Sequence, residues 1–308
     1  MGMADLTHIA NPLYDVVFRY LMEDNRVARL FLSAILDEEV IELTFNPTER
    51  SRKLGGEASL TVIRMDFHAR IRQAEGQERV VLIELQKAKY HHQVMRFRSY
   101  LGKQYQNPEH INVAEQPLPL YPIYILGEAF TQAAIPVIRV ERGYLDAATG
   151  RRIAEQHPFI EALTHDATVI QAYHLPGHRR TVLERFLSIF DQSGRRDPKG
   201  HILALDDADY PARYRPVIRR LQKALQNPDL EEEMDLEDEV MNEFHRKDQQ
   251  IAAARQRAQE AEQQAKEARQ TLVRTVMALS ASMSVAQIAL VTGLPEAEVA
   301  HILQREGE

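Results

Sequence analysis

An α/β core followed by a long helix and a small C-terminal helical pair is the fold class that the sequence predicts, on three observations. Val80-Val81-Leu82-Ile83 is a continuous apolar run of β-formers, the pattern of a strand covered on both faces. From Leu60 to Ile71 the pattern alternates. Ile63, Met65, Phe67, Ala69 and Ile71 fall on one face, and Arg64, Asp66, His68 and Arg70 on the other. Phe244, Ile251, Ala258, Ala265, Leu272 and Leu279 recur every seven residues, the spacing of a helix with a coiled-coil seam.

The individual elements follow in chain order. NPLYDVVFRYLMEDNRVARLFLSAIL predicts a helix or pair of helices, with Asn11 as cap, Pro12 at the first helical position and Asp15 in the first turn. EVIELTF predicts a strand closed by Asn46-Pro47. QAEGQ is the turn between the alternating strand and the apolar one, with Gly76 where a three-residue hairpin loop needs a left-handed residue. A helix is expected from about Tyr90 to Gln106, then strands at LYPIYIL, IPVIRVERG and ATVIQAYHL, and helices at TVLERFLSIF and YRPVIRRLQKAL. Residues 229–243 carry nine acidic side chains and no basic one, which reads as a flexible, solvated linker. Beyond it, Ala254, Ala261 and Ala268 fill the second seam position of the heptads. Alanine buries little area, so pairing there is weak, and a single exposed helix is the competing reading. SMSVAQIALVTGLPEAEVAHIL closes the chain as two short helices around Thr292-Gly293-Leu294-Pro295, a helix-turn-helix outline. The expected domains are 1–192 for the α/β core, 193–243 for a helical connector with the acidic linker, 244–279 for the long helix and 280–308 for the helical pair.

Composition removes several function classes. The absence of cysteine excludes disulfides, thiolate metal sites and cysteine nucleophiles. No run of about 18 apolar residues is present, and the N-terminus lacks the basic start and apolar block of a secretory signal. A cytoplasmic protein with no membrane partner is expected. The formal charge of −7 argues against a general polyanion binder. Part of that balance sits in the acidic run, however, whereas residues 89–105 carry Lys89, Arg96, Arg98 and Lys103 and no acid. No G-x-x-x-x-G-K-[ST], G-x-G-x-x-G or G-x-S-x-G motif occurs, which sets aside nucleotide-cradling loops and the serine-hydrolase elbow.

The chemistry concentrates on the hairpin. With a loop at residues 74–76, Asp66 stands directly opposite Glu84, and opposed residues share a face with Cβ atoms roughly 5 Å apart. Gln86 shares that face by strand alternation, whereas Lys87 falls on the other. Two bare carboxylates so close repel, and one tends to hold a proton. A hard divalent cation between them, Mg²⁺ or Mn²⁺, removes that penalty. Such a site suits phosphodiester hydrolysis, with Gln86 orienting water or phosphate.

NPLYDVVFRYLM, RMDFHARI, VVLIELQ, RFRSYLGKQY and PLYPIYILG together resemble the PD-(D/E)xK nuclease superfamily, in particular its recombination-promoting nuclease and transposase-like branch. The likeness spans roughly residues 10–130 and continues more weakly to about 190. It implies a restriction-endonuclease-like mixed sheet flanked by helices and a metal-dependent endonuclease acting on DNA. Within that pattern Asp66 matches the hairpin aspartate, Glu84 the second metal ligand and Gln86 the place of the usual lysine. Asp15 matches an acidic residue that completes the metal site, and Arg98 and Tyr105 match positions approaching substrate. Met65 stands where the eponymous proline would be.

Plainer readings compete with each of these. Asp66 also reads as a solvent-facing strand residue paired with Arg64 or Arg70, and Glu84 as a buried salt bridge to Arg64 or Arg96. Asp15 also serves as a charge complementing a helix dipole. Arg96, Arg98 and Lys103 line a phosphate path or form a solvated helix face. The expected function is a Mg²⁺-dependent DNA endonuclease, possessing a homodimer or higher oligomer through the long helix. The alternative is a nuclease-derived fold that has lost cleavage and acts as a DNA-binding or assembly module.

Overall fold

The computed structural model describes residues 6–46, 52–53, 61–62, 66–73, 76–86, 98, 101–112, 115–129, 133–155, 157–206, 208 and 210–305. They divide into two units, Met1–Val240 and Met241–Glu308.

The first unit begins with a strand, β1 (Leu6–Ala10), then α1 (Asp15–Met22) and α2 (Asn25–Leu36). Strands β2 (Val40–Asn46), β5 (Asp66–Gln73), β6 (Glu78–Gln86), β7 (Leu120–Leu126), β8 (Val137–Val140) and β11 (Ala167–Gln171) form a six-stranded mixed sheet in the order β2-β5-β6-β7-β11-β8. β6, β7 and β11 run parallel, and the remaining pairs are antiparallel. Two-residue pairs, β3 (Arg52–Lys53) with β4 (Thr61–Val62) and β9 (Tyr144–Leu145) with β10 (Arg152–Ile153), lie outside this sheet.

The apolar strand is buried on both faces, as its composition requires. Val81, Ile83 and Leu85 join the large core with α1 and α2, whereas Val80 and Leu82 pack with Leu118, Leu120 and Leu101 on the other face. Leu101 belongs to the helical residues 101–105 in the crossover between parallel β6 and β7. The rest of the helix expected from Tyr90, apart from residue 98, lies outside the described residues. In the large core Phe31 is fully buried, its ring 5.6 Å from that of Phe18 and 5.5 Å from that of Phe186.

The hairpin has the expected register. Asp66 pairs with Glu84, Ile71 with Arg79 and Arg72 with Glu78, and Gly76 adopts a left-handed φ of 81°. Other expectations are corrected. Asn11 is not a helix cap: Tyr14 is, and Asp15 is the first helical residue. Asn11 is instead fully buried in the turn after β1, accepting from the Leu13 N–H through Oδ1 and donating through Nδ2 to the Gly200 carbonyl. α2 has a true cap in Asp24, which accepts from the N–H groups of Arg26 and Val27. TVLERFLSIF is a helix only over Val182–Phe186 and continues as a 3₁₀ turn.

Residues expected in a connector also belong to the first unit. β12 (Ile202–Asp206) pairs antiparallel with β1, and the helix Arg215–Ala224 buries Val217, Ile218 and Leu221 in the core. The acidic run is not a flexible linker: it is helical, within the long helix Pro228–Ser280. Leu230 and Met234, one turn apart, enter the core. Acidic neighbours meet partners on that surface. Glu233 pairs with Arg19, Asp235 with Lys199, and Glu237 accepts from the Asp15 N–H. Asp238 accepts from the Tyr14 hydroxyl at 2.9 Å and lies 3.0 Å from His201 Nε2. Complementary charge around two apolar anchors explains why a run of like charge orders here.

His110 is buried, and burial pushes its pKa below the usual 6.5. A histidine held neutral favours the fold fully above its unfolded pKa, and this contribution is lost as pH falls through the folded value. Thermal melting of the wild type is therefore expected to weaken on going from about pH 7 to pH 5 more steeply than that of His110→Gln. Parallel pH profiles for the two proteins would contradict this.

The second unit ends in Val285–Thr292 and Glu296–Arg305, joined around Gly293 in the left-handed conformation. The helix-turn-helix outline is thus present. Val276, from the end of the long helix, packs with Ile288, Ala289 and Val299. Ser284 caps the first of the two helices in a reciprocal box with Gln287.

Candidate functional site

Glu84 occupies the face of β6 that carries Val80 and Leu82, and is only 3% exposed. A carboxylate in the body of an apolar strand is costly unless its environment compensates it. Register places three groups around it. Asp66 is its antiparallel partner on β5, Tyr124 its parallel partner on β7, and Gln86 follows two residues later. Gln86 is level with Leu126, and Leu126 with Gln171. The candidate site therefore lies toward the carboxyl ends of three parallel strands, the edge where open α/β sheets bind ligands.

Tyr124 is a neighbour that sequence reasoning missed. Burial, and then the charge of Glu84, push its hydroxyl up to about 12, so it keeps its proton. The parity of LYPIYIL against VVLIELQ carried the signal, but only once the two strands are known to pair in parallel. The side chains of Asp66 and Gln86 lie outside the described residues, so their backbone register is what the structure supplies. Arg70 is engaged with Glu78. Arg64 and Arg96 lie outside the described residues.

Asp15, Arg98 and Lys103 sit on other elements. α1 contributes to the core on the opposite face of β6, and its first residue, Asp15, comes beside Glu237. Arg98 and Lys103 are exposed, both on helical residues of the β6–β7 crossover. Tyr105 is 40% exposed, its hydroxyl 2.7 Å from His165 Nδ1. His165 stands two residues before β11, at the amino end of that strand, whereas Glu84 is near the carboxyl end of β6. Tyr105 thus joins His165 in a polar group, and it also comes within electrostatic reach of Tyr124, whose pKa it helps to raise. Within that group, burial and then the Arg142 guanidinium hold the His165 pKa down. Arg142 itself is bound to Glu161 and Asp166.

Among the described residues no group of three or more histidine or acidic side chains is placed to hold a metal ion. No helix among them is long and apolar enough to cross a membrane. Comparison with protein-family models, with curated proteins and with solved structures gives no match for this chain.

Proposed function

We propose that the chain is a metal-dependent DNA endonuclease of the recombination-promoting, transposase-like type, acting in the cytoplasm, with Asp66 and Glu84 as its acidic centre. The observation that supports this most is the pairing of Asp66 with Glu84 near the carboxyl edge of the sheet, Glu84 being buried. Donors available at this edge are oxygens: two carboxylates and the carboxamide of Gln86. That set fits Mg²⁺ or Mn²⁺ better than a softer ion. When bound, such a cation supplies Lewis-acid polarisation of a phosphate and lowers the pKa of a coordinated water.

The chain's own residues divide the remaining work. Glu84 is fixed by a strand packed on both faces, which preorganises its carboxylate. Tyr124, holding its proton, offers a neutral hydroxyl on the same sheet face. Gln86 orients water or phosphate but cannot act as a base at neutral pH. Arg98 and Lys103, with Arg96 ahead of them in the chain, supply cations for the DNA backbone. Tyr105 contributes only through its exposed part, since its hydroxyl is bound to His165. Asp15, whose N–H is bound to Glu237, is the further acid that the resemblance assigns to the metal.

Nicking of supercoiled plasmid in Mg²⁺ or Mn²⁺, with a chelator control, tests this reading on wild type, Asp66→Asn and Glu84→Gln. Metal-dependent nicking by wild type alone supports it. DNA binding without nicking by any of the three would favour a nuclease-derived binding module instead.

A further inference from the structure

We propose that residues 247–272 of the long helix form an antiparallel, two-fold symmetric seam with the same segment of a second copy of the chain, centred between residues 259 and 260. Within the second unit, residues 249–271 are helical and exposed on every side, and Ile251 is 50% exposed. The heptad phase puts Ile251, Ala258 and Ala265 at the first seam position and Ala254, Ala261 and Ala268 at the second. Such small side chains let two helix backbones approach closely. On the outward face, Gln256 donates to Glu260 and Gln263 to Glu267, four residues on in each case. Among the described residues no ion pair engages Arg255, Glu262 or Arg269, which flank the seam.

Charge selects the direction and the register. In an antiparallel pair each first seam position faces the second one of the other helix, and like flanking positions face each other. Setting Ile251 against Ala268 of the second copy also sets Ala254 against Ala265 and Ala258 against Ala261. On one flank Arg255 then meets Glu262 of the second copy. This pairing occurs twice by symmetry. The other flank sets Gln250 against Thr271 and Arg257 against Gln264, which is neutral. Sliding by one heptad either way destroys this match. In one direction Arg255 meets Arg269 and Glu262 meets itself; in the other Arg255 meets itself. A parallel pair gains Arg257 with Glu262 but sets Lys247, at the second seam position, against Lys247 of the second copy. Of these arrangements only the first opposes no like charges, Lys247 facing Leu272 at each end of the seam.

Sedimentation equilibrium of the full chain tests this independently of any catalysis. Wild type is expected to dimerise, and Arg255→Glu to raise the dissociation constant about tenfold or more by reversing two pairings. The double variant Arg255→Glu/Glu262→Arg is expected to restore dimerisation. In a parallel dimer it would stay weak, because Arg257 would then face an arginine. The chain has no cysteine, so oxidative cross-linking offers a second readout. Ile251→Cys/Ala268→Cys should cross-link, whereas Ile251→Cys alone should not, its two copies lying about 25 Å apart along the seam at ~1.5 Å per residue. A monomeric wild type, a dimer indifferent to Arg255→Glu, failure of the double variant to recover, or cross-linking by Ile251→Cys alone would each overturn the proposal.

Discussion

Glu84→Gln is expected to lower metal-dependent plasmid nicking by about a hundredfold or more, the range seen when a group stabilising transition-state charge is removed. Glutamine keeps the volume and hydrogen-bonding reach of the side chain but removes its charge. Glu84 is buried on the strand face that carries Val80 and Leu82, level with Tyr124 of β7. An isosteric change there leaves packing in place, so circular dichroism and the melting midpoint should change little while activity is lost. Asp66→Asn should show the same pattern, because the two residues share one register position. Removing both charges should be no worse than removing either, since groups that act as a unit are not additive. Equal nicking by wild type and both variants would mean that cleavage, if seen at all, comes from elsewhere.

The largest stability effect is expected from Phe31→Ala. Phe31 is fully buried on α2 and touches Phe18 on α1, Phe186 and Phe190. Truncating it removes aromatic contacts with three rings and leaves a cavity at the junction of the opening helices and the 182–190 segment. Phenylalanine-to-alanine changes at such sites cost about 3–5 kcal/mol. In urea the midpoint of unfolding should fall markedly with the slope unchanged. A loss below about 1 kcal/mol would show that the cluster is not a working part of the core.

How much of this was legible in the sequence depends on the range of the interactions involved. The hairpin was legible because everything that fixes it is local: alternation on one arm, a continuous apolar run on the other, and Gly76 where a left-handed residue is required. The long helix and terminal pair announced themselves through heptad spacing and through Gly293. β1 was missed because Leu6–Ala10 is short and its partner, Ile202–Asp206, lies at the far end of the same unit. Asn11 looked like a helix cap until its amide was needed by the Gly200 carbonyl. The acidic run looked solvated because composition does not show that Arg19, Lys199, Tyr14 and His201 are waiting for it. At the candidate site the two acids were readable from register. Tyr124 was not, because parallel pairing of β6 with β7 is a tertiary fact.

Asp66 and Glu84 are proposed to grip one divalent cation between them. A crystal structure of the wild type soaked in Mn²⁺ measures this directly, through the anomalous signal of the ion. A single strong peak is expected, bound by an oxygen of each carboxylate at the carboxyl edge of the sheet. Side chains of Asp66 and Glu84 turned to opposite faces, or each closed onto an arginine with manganese bound elsewhere, would contradict it.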